Sequence, residues 1–374
     1  MKTVTFPMPL QPLDQITIRG FRSIAAINAL TLGPINILIG ANGSGKSNFL
    51  GALSFLRSIA EGRLRDTVTK ASGAERLLHF GSRTTREMVF EASFNGGMHF
   101  FYQLSLGATN DDGLYPTREA SGVQDSTLLP QWGSLGPREK GREAGISEPL
   151  FSGPPLSVRN RLLSLRASHF HDTTQLRTTA KLDDNSFLRA DGSNLAPFLF
   201  LIQASHRPSY DLIRRAVQQV APFFDDFDLK PLQRARDDIK LEWRHRGSDQ
   251  YFDAASLSDG TLRFMALATL FLQPTEFRPS IILIDEPELG LHPYGIGLLA
   301  SLIRSASIET QVIVSTQSSL LLDHFDPEDV LVTDRVDNST QISRLDPERL
   351  KDWLKEYSLG QLWEKNELGG RPHS

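Results

Sequence analysis

The chain contains no cysteine, which excludes disulfides, thiolate metal sites and a zinc hook built on paired cysteines, and agrees with a reducing compartment. It has no excess of one charge either. Lys and Arg number 40 against 44 Asp and Glu, a net charge of −4, so any nucleic-acid contact has to be local. Long apolar runs are missing too: the longest, FMALATLFL at 264–272, is about half of what a membrane-spanning helix needs. The opening stretch MKTVTFPMPLQPLDQ lacks the apolar block of a signal peptide. These absences predict a cytoplasmic protein with no membrane partner. No heptads are sustained, which leaves no long coiled coil. At 374 residues the chain has room for one large core or two to three lobes.

What is present is a strand-rich start and an alternating finish. QITIRGFRSI (15–24), AAINALTL (25–32) and INILIG (35–40) are rich in β-branched residues and end at turn residues, which predicts three short strands. Phe49, Leu50, Leu53, Leu56 and Ile59 recur at helical spacing and predict a helix from Lys46 to about Ile59. Residues 88–106 read as a hairpin turning at Asn95-Gly96-Gly97. Residues 107–159, rich in Gly, Pro, Ser and charge, show no period and predict an irregular excursion. Helical patterns resume at 194–203 and 210–224, and 239–246 alternates as a strand. The last third predicts helix 259–272, strand 280–285, helix 294–306, strand 311–315, a short helix at 317–323 and a hairpin over 330–345. Such alternation predicts an α/β fold with a parallel sheet covered by helices.

The densest signal is IGANGSGKSN, residues 39–48. Gly40, Ala41, Asn42, Gly43, Ser44, Gly45, Lys46 and Ser47 fit G-x-x-x-x-G-K-[ST] at every fixed position, between an expected strand and an expected helix. The glycines let the backbone curl until amide hydrogens and the helix N-terminus point at phosphate oxygens. Lys46 then reaches the β and γ phosphates of ATP, the Ser47 hydroxyl helps hold Mg²⁺, and Asn48 completes the nucleotide-binding stretch. A second constellation, SIILIDEPELGLHP at 280–293, is a buried aliphatic strand ending in two carboxylates. Asp285 is expected to orient the Mg²⁺ through its water shell, and Glu286 to polarise the attacking water as general base. A helix-entry turn accounts for Asp285, Glu286 and Pro287 as composition, but a P-loop needs an acid, and this aliphatic strand alone ends in such a pair. The third is SLSDGTLRF at 256–264, where Ser258 reads as an N-cap on its own and as a phosphate-clamping signature by its place shortly before the acidic strand.

Together with ITIRGFRSI, HFHDTT, DGSNLAPFL, STQSSLLLDHF and EYSLGQLWEKNELGGRP, these motifs make the chain resemble the stand-alone bacterial AAA-type ATPases related to RecF, SMC and OLD. The likeness runs from about Ile16 to Pro372, with 107–157 weakly matched. It implies a P-loop NTPase of ABC/SMC-head type: a mixed central sheet flanked by helices, an antiparallel β-lobe and an inserted helical lid. The corresponding organisation is an N-terminal ATPase lobe (13–106), an irregular insertion (107–157), a helical lid (158–250) and a C-terminal ATPase lobe (251–374). It implies ATP and Mg²⁺ as cofactors, and an ATP-sandwiched homodimer in which Ser258 and the Gly260 amide of one subunit close over the γ-phosphate held by the other. DNA repair or anti-phage defence is the setting it implies, with DNA as a partner and a separate effector, such as a Toprim-like nuclease, because the stretch after STQSSLLLDHF leaves no room for that domain.

Two departures from the broader pattern matter. Asp259 replaces the first glycine after the signature serine, and Gln317 stands where a switch histidine is usual. No Q-loop glutamine is evident, and adenine recognition has only Phe21 and Arg22 as candidates, which read equally as core and surface. His169, His171 and Asp172 suit a metal if extended, though a hydrogen-bonded structural role needs no third ligand. Arg214, Arg215 and the RNRLLSLR run (159–166) are candidate phosphate contacts, or solvated faces. Asp334 and Asp337 read as turn residues. Because the Gln317 amide carries no proton-dependent charge, steady-state hydrolysis is expected to vary little between about pH 6 and pH 8, and a steep rate change across that window contradicts a switch role for Gln317.

Overall fold

The structure, a computed structural model, describes residues 12–95, 98–124, 131–136, 143–148, 152–232 and 235–370. In chain order, β1 (Leu13–Phe21), β2 (Ile24–Thr31) and β3 (Ile35–Ile39) precede α1 (Lys46–Ala60), α2 (Leu64–Lys70) and α3 (Ala74–Leu77). Four strands come next: β4 (Glu87–Phe94), β5 (His99–Ala108), β6 (Leu114–Gln124) and β7 (Gln131–Ser134). The middle holds α4 (Pro154–Leu163), β8 (Leu165–Ser168), β9 (Ala180–Lys181), α5 (Leu195–Ser205) and α6 (Arg207–Val220). After it come β10 (Phe224–Asp228), β11 (Pro231–Leu232), β12 (Ala235–Ile239), β13 (Glu242–His245) and β14 (Tyr251–Asp253). The last third runs α7 (Asp259–Leu272), β15 (Ile281–Asp285), α8 (Pro293–Ala306), β16 (Gln311–Thr316) and α9 (Ser319–Leu322). It finishes with β17 (Val330–Val336), β18 (Ser339–Arg344), α10 (Pro347–Leu350) and α11 (Leu359–Glu364).

The central sheet has the order β18-β17-β3-β16-β15-β8. Its strands run parallel except β18, which returns antiparallel from β17. Continuous aliphatic runs make its inner strands, because a parallel strand has both faces covered. Even there a period of two survives: Leu283 and Ile281 face α1, whereas Ile282 and Ile284 face the core that contains α7 and α8. The β-lobe is an antiparallel sheet ordered β2-β1-β4-β5-β6-β7. In β4, Met88, Phe90, Ala92 and Phe94 are buried and alternate with more exposed residues, as a one-sided sheet requires. Phe21, Phe55 and Phe90 meet at ring separations of 5.7 to 6.0 Å and seal this lobe onto α1. Among the described residues no helix is long and apolar enough to cross a membrane.

The sheet with its flanking helices and antiparallel lobe has the architecture expected. Two regional expectations are corrected. The stretch at 107–157 contains an 11-residue strand, β6, paired along β5. Its inward positions include Pro116, Glu119 and Ser121, so no apolar alternation marked it. Buried Glu119 accepts from Tyr102 Oη at 2.9 Å and from the Gly145 and Ile146 amides at 2.6 and 2.8 Å, so its carboxylate is satisfied inside the fold. The 158–250 region is not purely helical: β8 supplies the edge of the central sheet, and β9 to β14 build two three-stranded sheets. The strand expected at 239–246 is broken after Ile239. The hairpin expected at 88–106 forms as β4 and β5, with Gly96 and Gly97 of its turn outside the described residues.

Gln311, fully buried at the start of β16, ties the two sheets together. Its Oε1 accepts from Leu13 N at 3.0 Å, and its Nε2 donates to Leu13 O at 3.0 Å and Gly33 O at 2.8 Å. Replacing it by Leu strips buried backbone groups of their partner, at about 1 to 3 kcal/mol for each group left unsatisfied. Gln311→Leu is therefore expected to lower unfolding free energy by about 3 kcal/mol or more, read from urea denaturation, and an unchanged midpoint refutes the clasp.

Candidate functional site

Loop 40–45 leaves the C-terminal end of β3 and opens α1. Among the described residues, the amides of Gly43, Gly45, Lys46, Ser47 and Asn48 have no acceptor in the chain. A row of free amides at the start of a 15-residue helix fits the phosphates of a nucleotide. Asn42 and Gly43 are exposed at the crest of the loop. The buried Lys46 ammonium donates to Gly40 O at 2.7 Å and Ala41 O at 3.1 Å. Burial lowers its pKa, while Glu286, Asp285 and Glu288 pull it back up. Ser44 Oγ is buried without a partner among the described residues. Ala41 N is engaged instead by Gly370 O at 2.5 Å, so the C-terminal stretch braces the loop.

The β17–β18 hairpin backs the loop from the other side. Thr340 Oγ1 donates to Ser44 O at 2.8 Å, and at Gly45, in the left-handed region at φ 112°, a Cβ would collide with that same threonine. Thr340 also shares a hydrogen bond of 2.7 Å with Ser23 Oγ, which accepts from Asn48 Nδ2 at 2.7 Å. The Asn48 side chain is thus a strut behind the loop, while its backbone amide stays in the row that faces a nucleotide.

The acidic strand delivers its groups beside this loop. Ser47 Oγ donates to Asp285 Oδ2 at 2.8 Å, and Ser315 Oγ donates to Asp285 Oδ1. A hydroxyl and a carboxylate converging in this way are the hard oxygen donors Mg²⁺ prefers. Glu286 adopts a left-handed backbone at φ 43°, a conformation costing a non-glycine residue about 1 kcal/mol or more. Its amide bonds Ser315 O at 2.8 Å, and its Oε1 accepts from Gln317 Nε2. Glu286 and Gln317 are therefore brought into direct contact. His169, just past β8, lies at the same sheet edge. Its ring has a lowered pKa, first through desolvation, opposed by the attraction of Asp285.

Sequence reasoning missed Glu288. It is buried, accepts from Thr316 Oγ1 and from Gln317 N at 3.3 Å, and among the described residues leaves Oε2 without a partner. Its position three residues past the metal-side aspartate was the available signal. Desolvation raises its pKa above the ordinary value of 4.5, against the Thr316 hydrogen bond.

Ser258 caps α7, its Oγ accepting from Thr261 N at 3.2 Å. Gly260 packs so closely on the Gly290 carbonyl that any Cβ there would collide. Asp259 turns toward Thr173 and Arg177. Arg263 binds the carbonyls of Phe170, His171 and Leu289, tying the signature to the loops after β8 and β15. Among the described residues, no hydrogen bond or ion pair joins 256–261 to 40–48.

Other candidates fall into structural places. Phe21 is 1% exposed and belongs to the core, which removes it as an adenine contact; exposed Arg22 lies 5.3 Å over its ring. Asp172 Oδ1 accepts from Thr174 N at 3.0 Å, and among the described residues no three His, Asp or Glu side chains are grouped to hold a metal. Arg214 donates to Asp225 O at 2.8 Å, Arg159 to Ala60 O at 3.2 Å, and Arg161 lies 3.8 Å over the Phe100 ring. Asp337 and Asn338 form the β17–β18 turn with positive φ, whereas Asp334 sits within β17, correcting its reading as a turn residue.

An acid whose folded-state pKa exceeds its unfolded value costs stability as pH rises past the unfolded value, and that cost persists above the folded value. Glu288→Gln, neutral throughout, should therefore be more stable than the parent near pH 7 and equal to it near pH 4; urea melts at the two pH values check this, and equal stability at both contradicts it. Gly260→Ala should force α7 from the Gly290 loop and cut turnover at least about tenfold, which steady-state kinetics on folded protein would detect.

The comparisons bear on family and fold. The family model described as "AAA domain, putative AbiEii toxin, Type IV TA system" matches residues 35–323, well over half of the chain. A solved SMC head bound to the C-terminal winged-helix domain of ScpA superposes with a TM-score of 0.60 at 18% identity, covering 90% of this chain and 99% of that one. The SMC head of Pyrococcus furiosus, bound to the C-terminal domain of ScpA, gives 0.59 at 16% identity over 92% and 99%. That of Pyrococcus yayanosii gives 0.53 at 13% over 92% and 99%. Among curated proteins, a 132-residue stretch is 33% identical to a urease accessory protein 2 of Cryptococcus neoformans var. grubii, taking in 31% of this chain. The match spans only 10% of that relative's length. The chain belongs to the AAA-domain family whose model it matches, and it is an ATP-binding P-loop NTPase with the fold of an SMC head.

Proposed function

We propose that the protein is a Mg²⁺-dependent ATPase working as an ATP-sandwiched homodimeric switch, in DNA repair or anti-phage defence. The observation that carries this reading is the division of the site. Lys46, Ser47, Asp285, Glu286 and Gln317 gather at one sheet edge, while Ser258 and Gly260 open a different helix with no hydrogen bond to the phosphate loop among the described residues. A second copy supplies the missing half.

Mg²⁺, when bound, neutralises charge on the β and γ phosphate oxygens. Ser47 and Asp285 would hold it, and Lys46 adds a buried positive charge. Gln317 fixes one oxygen of Glu286, leaving the other to take a proton from the attacking water. That water's oxygen bonds the γ-phosphorus as the bond to ADP breaks. Ser258 Oγ and the Gly260 amide of the second copy donate to the γ-phosphate oxygens.

A second reading, an ATP-gated scaffold for a separate effector, draws on two of the solved heads being complexes with ScpA domains. DNA-stimulated hydrolysis supports the switch; ATP-dependent co-purification with the product of a neighbouring gene, without DNA stimulation, supports the scaffold.

Lys46→Ala should abolish ATP binding or turnover. Glu286→Gln should trap the bound state, doubling the 41.7 kDa mass in light scattering when ATP and Mg²⁺ are added. A strict monomer under those conditions, or a Glu286→Gln protein hydrolysing at full speed, would remove the corresponding part of the reading.

A further inference from the structure

Asp259 puts a carboxylate on the first residue of α7, between Ser258 and Gly260. In the homodimer reading that helix end receives the triphosphate of a second copy, and the role of the groups around Asp259 rests on that reading. Two anions at such range repel, and the repulsion is not relieved by protonation: hydrogen bonds from Thr173 and then Arg177 hold the Asp259 carboxyl below its usual pKa.

The carboxylate is turned back onto its own chain. Its Oδ1 accepts from Thr173 Oγ1 at 2.5 Å and from Arg177 Nη2 at 2.8 Å. Arg177 is itself fixed, donating through Nη1 to Thr173 Oγ1 at 2.9 Å and through Nη2 to Leu257 O at 3.2 Å. Its short helical turn is anchored by Leu176, 2% exposed in the core. The other nearby cation, Arg263, contributes its charge at longer range, but its guanidinium is spent on three carbonyls. Among the described residues Arg177 is thus the cation in contact with Asp259, and the planar guanidinium fork spans three acceptors as an ammonium cannot.

We propose that Arg177 is a positioning residue for the signature: it neutralises Asp259 and holds its carboxylate away from Ser258 Oγ and the Gly260 amide, so that the start of α7 accepts a phosphate carried by a second copy.

The test is a double-mutant cycle in the Glu286→Gln background, following dimer formation by light scattering as MgATP is titrated. Arg177→Ala should raise the ATP concentration needed for half-dimerisation by about tenfold or more. Arg177→Gln keeps donors but loses the charge, and should behave alike; it carries the same comparison if the alanine variant does not fold. Asp259→Gly, which removes the carboxylate, should restore dimerisation in the Arg177→Ala protein to within about twofold of the parent. In the Glu286-containing protein, Arg177→Ala should lower kcat/KM, and Asp259→Gly should rescue it. A merely structural Arg177 gives no rescue, and a double variant as poor as Arg177→Ala overturns the proposal. A parent that dimerises together with an unimpaired Arg177→Ala and Arg177→Gln overturns the Arg177 assignment alone. A parent that stays monomeric at saturating MgATP overturns the homodimer reading and this assignment with it.

Discussion

The hydrogen bond from Ser47 to Asp285 joins residues 238 positions apart in the chain. It depends on the parallel register of β3, β16 and β15, which stops three strands at one edge and sets the phosphate loop, the acid pair and Gln317 side by side. Polar groups can gather at this edge because hydrophobic burial holds the sheet beneath them from both faces. If the register slipped by one residue, every inward side chain would exchange faces, and the site and both cores would be lost together.

Three carboxylates within four residues of sequence are held in different states by their surroundings. Asp285 accepts from two serine hydroxyls, Glu286 is held on a left-handed backbone by Gln317, and Glu288 is buried with one oxygen unpartnered. The first arrangement suits a cation ligand and the second a base kept in place. The third secures the C-terminal end of β16, because Thr316 and Gln317 both donate to Glu288. Thus Gln317 is placed from both ends, its amide nitrogen by Glu288 and its side chain by Glu286.

A similar economy operates around the phosphate loop and the signature. Gly45 is required by the approach of Thr340 and Gly260 by that of the Gly290 carbonyl, so each glycine answers to packing inside the chain. The Ser23, Asn48 and Thr340 chain of hydrogen bonds braces the loop with groups from three distant parts of the sequence. At the start of α7, the Asp259 carboxylate is restrained by Thr173 and Arg177, from a segment that lies just beyond the edge strand of the sheet.

The order of residues by itself determined the fold class and the chemical types at the site. Aliphatic runs such as INILI and IILID carry the buried strands, and the G-x-x-x-x-G-K-S spacing carries the phosphate loop, because these are short-range properties of backbone and burial. Only tertiary structure decided the rest. β6 escaped notice because its inward positions are satisfied by polar contacts made at long range, as at Glu119. Phe21, Asp334 and the Asn48 side chain took structural places, and Glu288, Thr173 and Arg177 gained their contacts, through neighbours tens of residues away. Periodicity reports which face of an element is apolar, whereas the partner of a polar group is chosen only when separate elements meet.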